Sequence, residues 1–125
     1  MTAIEQKTPV AMLSVTAGEA EVAHSGFEKN ILAGECAISQ LGLGEVRGHK
    51  FGVWQVSPGE FTSTWDDWEA FTIVSGQGVL IDGTGREHRL VPGALVVVPP
   101  GSTGTWRITE TLRKTYVYPA DSVGR

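Results

Sequence analysis

Short stretches of alternating apolar and polar residues follow one another along most of this chain, separated by glycine and proline. Residues 51–57 and 60–65 alternate with the two-residue period of a β-strand, and Ser57, Pro58 and Gly59 mark the break between them. Similar segments continue along the chain, at 36–41, 69–74, 77–81, 86–91, 94–98, 104–109 and 113–118. The pattern predicts eight or nine strands and leaves little room for helix.

Turn-forming pairs stand between the predicted strands. Ser75-Gly76, Asp82-Gly83 and Pro92-Gly93 are typical of chain reversals, and further turns are predicted at 42–44 and 47–50. Residues 94–98 are continuously apolar, which predicts a strand buried on both faces or covered from outside. So many short strands predict an all-β fold that closes into a small barrel or jelly roll, because closure removes exposed strand edges.

The alternation is much weaker at the start of the chain than elsewhere. We therefore predict an N-terminal arm at 1–30, either extended or with one helical turn, that lies across its own barrel or a partner's. Residues 31–125 form the single barrel domain in this prediction. One domain is the expected number for 125 residues, and a hydrophobic share of 41% is enough for a core.

The net charge and the cysteine content limit the kinds of binding partner and the cellular compartment that we expect for this protein. The net charge is −4 with acids and bases interspersed, so we expect neither a nucleic-acid partner nor a membrane partner. No secretory signal or run of about 18 apolar residues is evident, so we expect a cytoplasmic protein. The single cysteine, Cys36, excludes a disulfide within the chain and is expected to be a buried, inert thiol.

An ordered set of short motifs spans about residues 50–118. In chain order the motifs are Gly52-Val53-Trp54, Ser57-Pro58-Gly59, Trp65, Glu69, Ser75-Gly76-Gln77-Gly78, Asp82-Gly83, Pro92-Gly93, Val98-Pro99-Pro100-Gly101, Gly104-Thr105-Trp106, and 109–116 with Arg113-Lys114. This order resembles the cupin superfamily and, more narrowly, the small cupins grouped with ureidoglycine aminohydrolase and the ethanolamine-utilisation cupin proteins. The resemblance implies a conical antiparallel β-barrel of the cupin (RmlC-like) type, a homodimer, and a ligand pocket in the barrel mouth.

The resemblance also implies where a metal would bind, because metal-binding cupins use three histidines and a glutamate. Glu69 matches the glutamate, whereas the histidine positions fall around Ser63 and Trp65 and at Gly104. A hydroxyl, an indole and a glycine cannot replace imidazole ligands, so we expect no metal and no other cofactor. The histidines of the chain lie away from these positions, at His24, His49 and His88.

Glu69 is the centre of the functional hypothesis. An inward carboxylate could act as a general acid or base or anchor a ligand, or it could form a salt bridge that holds the barrel mouth, and the two interpretations weigh equally. Lys114 is the expected partner. Within about 4 Å the attraction would be about 4 kcal/mol at an effective dielectric of about 20, which would favour the structural role. Sequence alternation leaves open whether Lys114, Tyr116 and Tyr118 or the opposite face points inward.

Three functions follow from these residues. The first is metal-free binding of a small polar metabolite in the barrel mouth. The second, implied by the relatives, is a hydrolase or isomerase of a small ureido, amino-acid-derived or sugar-like compound, and the third is a structural dimer module. The expected catalytic residues are Glu69, Lys114 and Tyr116. The expected ligand-binding residues are Trp65, Trp106, Glu69, Phe71 and Tyr118, whereas Trp54 is expected to be core.

Overall fold

Nine β-strands form one curled antiparallel sheet in the computed structural model, which describes residues 8–121. In chain order they are β1 (Ala23–Phe27), β2 (Ile31–Gly34), β3 (Ala37–Val46), β4 (His49–Val56), β5 (Gly59–Thr64), β6 (Glu69–Asp82), β7 (Glu87–Leu90), β8 (Leu95–Val98) and β9 (Thr103–Pro119). No helix occurs between residues 8 and 121. The predicted all-β class and number of strands are confirmed.

The longest strand, β9, is the centre of the sheet. One edge of β9 pairs with β6 along almost its whole length, and the other edge pairs first with β5 and then with β4. Strands β3 and β1 extend the sheet beyond β4, and β2 extends it beyond β5. The short strands β7 and β8 both lie along the remaining edge of β6.

Strand β6 runs without interruption through Ser75-Gly76, so the predicted turn at this position is wrong. The register between β6 and β9 shifts there instead, and Gly76 has a φ of 92°. These register shifts change which alternate positions of β6 face inward, because Glu69 and Ile73 point into the barrel before the shifts and Leu80 does so after them. The glycine bends the strand where a reversal was expected. Likewise, the segments predicted at 104–109 and 113–118 are one strand, and the predicted turn at 42–44 is a bulge in β3.

The prediction that 94–98 is covered on both faces is also wrong. Val98 is buried and Val96 is half-buried, but Leu95 and Val97 are each 67% exposed. The reason lies in the topology, because β8 pairs with β6 alone and is therefore an edge strand with an uncovered outer face.

The predicted arm divides into three parts. Residues 1–7 lie outside the described residues. Residues 8–22 contain no strand and run over the outer surface of the chain's own barrel, where the Arg113 guanidinium donates hydrogen bonds of 2.9 Å to the carbonyl oxygens of Ala17 and Ala20. Strand β1, within the predicted arm, pairs with β3 and so belongs to the sheet.

The inward faces of the strands enclose one hydrophobic core. Its buried members are Cys36, Trp54, Val56, Phe61, Trp65, Phe71, Ile73, Leu80, Leu90, Val98, Trp106, Ile108, Leu112 and Tyr116. The Cys36 thiol is fully buried, and this burial raises its pKa, as an inert structural thiol requires. Between residues 8 and 121 no helix is long and apolar enough to cross a membrane.

We predict that Gly76→Ala destabilises the fold much more than Gly85→Ala. Both glycines have a positive φ, 92° and 87°, so each substitution introduces about 1–2 kcal/mol of backbone strain. Only at Gly76 would the new methyl group meet backbone, the carbonyl oxygen of Thr111, while nothing lies within 4 Å at Gly85. We expect an additional loss of about 1–3 kcal/mol for Gly76→Ala in urea unfolding. Equal losses in the free energy of unfolding for the two variants would contradict the close approach of Gly76 to the backbone of β9.

Candidate functional site

Glu69 lies at the start of β6 and points into the barrel, with 1% of its surface exposed. Its Oε1 accepts a hydrogen bond of 2.9 Å from the indole nitrogen of Trp65, and its Oε2 accepts one of 2.8 Å from Lys114 Nζ. Trp65 is held in place by backbone hydrogen bonds to Gly101 and Ser102, in the connection before β9. Both carboxylate oxygens therefore have charge-assisted donors at the short distances typical of strong bonds.

Lys114 also points inward, which decides the orientation that alternation left open. In β9 it lies opposite Trp54 of β4 and Ile73 of β6, and 2% of its surface is exposed. Its ammonium lies 4.3, 4.6 and 5.2 Å from the ring centroids of Phe71, Trp54 and Trp106. These distances allow cation–π attraction, which strengthens when the cation is desolvated. An aromatic box thus surrounds the ammonium, and Glu69 is its counter-ion.

A cavity of about 190 Å³ lies in front of this ion pair. Four predicted site residues line it: Glu69, Lys114, Trp65 and Trp106. The other three do not. Phe71 packs beneath the ammonium and stacks on Trp106, while Tyr116 directs its hydroxyl towards Gly52 and packs against Tyr118 at 5.2 Å between ring centroids.

Several residues of the cavity were not expected from the sequence. Trp54, predicted to be core alone, lines the cavity and faces Lys114 across the β4–β9 pair. The rest of the unexpected lining comes from the β1–β2 corner, β3 and β5, and consists of Phe27, Glu28, Lys29, Ile38, Gln40 and Phe61. Only the register of β4 against β9 could have identified Trp54 as a cavity residue. Hydrophobic alternation does not reveal which strands far apart in the sequence pair with each other.

The positions that hold imidazoles in metal-binding cupins are filled by other groups. The Trp106 indole nitrogen donates to Ser63 Oγ at 3.1 Å, and the Trp65 ring would lie 3.4 Å from a Cβ at Gly104. No three His, Cys, Asp or Glu side chains between residues 8 and 121 come together as a metal site. With Lys114 already bonded to Glu69, this donor set does not fit the cupin metal.

The curled antiparallel barrel with an inward glutamate at the start of β6 defines a cupin. The family model described as the EutQ-like cupin domain matches residues 43–116, more than half of the chain. The chain therefore belongs to the family of EutQ-like cupin domains, as the resemblance implied.

Solved structures support the fold. The EutQ protein of Clostridium difficile is similar with a TM-score of 0.69 and 21% identity, over 86% of this chain and 87% of that chain. The polyketide cyclase RemF of Streptomyces resistomycificus has a TM-score of 0.67 and 19% identity, over 90% and 82%. Ectoine synthase of P. lautus has a TM-score of 0.60 and 17% identity, over 66% and 64%. A search of curated protein sequences finds no match.

We predict that Lys114→Met destabilises the protein by about 3–5 kcal/mol, because it leaves the buried Glu69 carboxylate without its counter-ion. Adding Glu69→Gln to Lys114→Met should recover part of that loss, since the uncompensated charge disappears. Urea unfolding of the single and double variants measures the coupling.

The pair Arg107–Glu60 on the outer surface is the matched control for this cycle. Its atoms lie 3.2 Å apart, but the side chains are 56% and 41% exposed. The equivalent variants, Arg107→Met and Glu60→Gln, should therefore show a coupling below about 1 kcal/mol. A similarly small coupling between Glu69 and Lys114 would contradict a dry ion pair.

Proposed function

We propose that this cupin binds a small polar metabolite in the interior cavity, without a metal ion. The observation that carries the proposal is the Glu69–Lys114 pair, which lines the cavity between the indoles of Trp54, Trp65 and Trp106. Its 2.8 Å separation supports a structural role, and the same contact fixes two opposite charges at the cavity wall. Polar groups of a ligand can bond to these charges while its planar parts stack on indole faces.

The size of the cavity supports a restricted class of ligand. Typical small-molecule pockets have volumes of about 300–1,000 Å³, and this cavity has about 190 Å³. A nucleotide or a long acyl chain is too large for it. Compounds of the size of urea derivatives, small amino acids or their amides are suitable, and these offer both hydrogen-bond donors and acceptors.

An enzyme acting on such a compound is the second candidate. It is supported by the position of Glu69 and Lys114, which lie within hydrogen-bond distance of each other at the cavity wall and could exchange a proton with a bound ligand. Tyr116 has no part in this candidate, because its hydroxyl is directed towards Gly52 and it does not line the cavity.

A homodimer is also proposed, because the outer face of the edge strand β8 exposes Leu95 and Val97. An apolar edge can pair with its own copy about a two-fold axis, and such pairing would cover the edge. Val97→Lys should then shift the protein from dimer to monomer in light scattering, while Arg89→Gln on β7 should have no effect. A monomeric wild-type protein would contradict this proposal. The cytoplasmic location stays a prediction.

We predict that a small polar compound from a panel of urea derivatives, amino acids and monosaccharides quenches the intrinsic tryptophan fluorescence saturably. Three of the four tryptophans line the cavity, so a bound compound changes their surroundings directly. Glu69→Gln should weaken the binding about tenfold or more, as expected when a charged hydrogen-bond partner is lost. Glu60→Gln, the same change on the outer surface, should leave it unaltered.

The same protein samples can be used to test whether a metal is bound and whether a bound compound is converted. Elemental analysis of protein purified without chelators should find no stoichiometric transition metal, since the imidazole ligands are replaced. A stoichiometric metal bound through Glu69 would overturn the metal-free proposal. Conversion of a bound compound, followed by NMR, would favour the enzyme over the binding protein, and no saturable response to any compound would favour the structural dimer.

A further inference from the structure

A second cavity, of about 740 Å³, lies on the other side of Trp65. It is a cleft between β7 and β8, extended by the turn after β6 and the loop before β9. Among the described residues, Trp65 alone lines both this cleft and the interior cavity. The volume of the cleft falls within the range typical of small-molecule sites, and the metabolite binding proposed above does not use it. Leu95 and Val97, on which the proposed dimer rests, also line the cleft.

One wall of the cleft carries a histidine held by a fixed carboxylate. Asp82 Oδ2 lies 2.9 Å from His88 Nε2, while Asp82 Oδ1 accepts hydrogen bonds from the backbone and hydroxyl of Thr84 and from the backbone of Arg86. These contacts hold the pKa of the Asp82 carboxyl well below its usual range, and the hydrogen bond with His88 contributes most to this effect. An ionised carboxylate can only accept, so His88 directs its Nε2–H towards Asp82.

Two groups remain available to a ligand at this wall. The other ring nitrogen of His88 makes no hydrogen bond to the residues between 8 and 121. Arg86 lines the cleft immediately before β7 begins, and its guanidinium has no ion-pair or hydrogen-bond partner within that range. Glu87 and Arg89, which alternate with His88 along β7, also line the cleft, so it holds a second guanidinium and one further carboxylate.

Another part of the wall is apolar. Strand register places His88 beside Leu80, and the inward residues Val96 and Val98 of β8 line the cleft together with Ala94 and the Trp65 ring. A guanidinium favours carboxylate and phosphate groups through paired hydrogen bonds, whereas the apolar wall favours a hydrocarbon body. A ligand that satisfies both has an acidic head and an apolar tail.

We infer that this cleft is a second binding site, for small organic acids whose carboxylate contacts Arg86 and His88 and whose apolar body lies on Leu80, Val96 and Val98. Asp82 is a positioning residue in this site, because it acts through His88. The inference does not depend on the proposed function, since it uses a different cavity and different charges.

Titration with hexanoate, followed by NMR of methyl groups and imidazoles, tests the inference. We expect saturable shifts at Leu80, Val96, Val98 and His88, and no comparable response to hexanol, which has the same tail without the charge. Arg86→Gln should weaken hexanoate binding about tenfold, as expected from the loss of a charged hydrogen bond. Because Arg86 is exposed, this variant should fold normally, which circular dichroism checks.

Matched variants distinguish binding in the cleft from binding elsewhere on the barrel. Arg107→Gln removes a cation from the outer face of β9, away from the cleft, and should leave hexanoate affinity unchanged. Equal responses to hexanol and hexanoate, an unchanged affinity in Arg86→Gln, or shifts centred on Trp54 and Lys114 would each overturn the inference. Asp82→Asn should weaken binding and alter the tautomer-sensitive nitrogen shifts of His88, an effect that loss of stability alone would not produce.

Discussion

The ion pair between Glu69 and Lys114 is the contact on which the interior of this barrel depends. Its atoms lie 2.8 Å apart and both side chains are almost fully buried, so bulk water hydrates neither charge. A buried charge without a partner costs several kcal/mol, and each group therefore makes the other tolerable. The Trp65 indole and three aromatic faces complete the surroundings of the pair. The two charges and the aromatic rings around them therefore form one packed cluster, and this cluster favours the observed pairing of the strands that carry it.

The buried ion pair can form only because the long strands β6 and β9 pair with each other. Glu69 and Lys114 are separated by 45 residues and meet because β6 pairs with β9 over most of its length. In β9 the buried positions keep one alternation from Trp106 to Tyr116, whereas in β6 the bulge at Gly76 changes it. Without this shift of register, one half of β6 would direct its apolar side chains to solvent. A local backbone irregularity thus allows the buried ion pair and the core beyond it to coexist.

Much of this architecture could be predicted from the sequence, because alternation and glycine act locally. Local patterns account for where the chain is extended from residue 51 onwards, for the turn at Asp82-Gly83, for the buried Cys36 and for the inward Glu69. They do not show that β6 and β9 are each one continuous strand. Other features depend on strand register and topology instead. These are the inward direction of Lys114, the position of Trp54 in the cavity wall and the exposed outer face of β8. Ser75-Gly76 shows the limit most clearly, since the same pair permits a reversal or a bulge and only pairing with β9 selects between them.

The cation in this cupin interior is supplied by the chain itself. The family resemblance places Glu69 at the position of a metal ligand and the imidazole positions around Ser63 and Trp65 and at Gly104. In this structure the partner of Glu69 is the ammonium of Lys114. A metal ion can exchange ligands and polarise them, whereas an ammonium offers a fixed number of hydrogen bonds and a proton. The ligand binding that we propose would therefore rely on hydrogen bonding, charge and stacking on indoles, which suit selective binding of small polar compounds as much as acid–base chemistry.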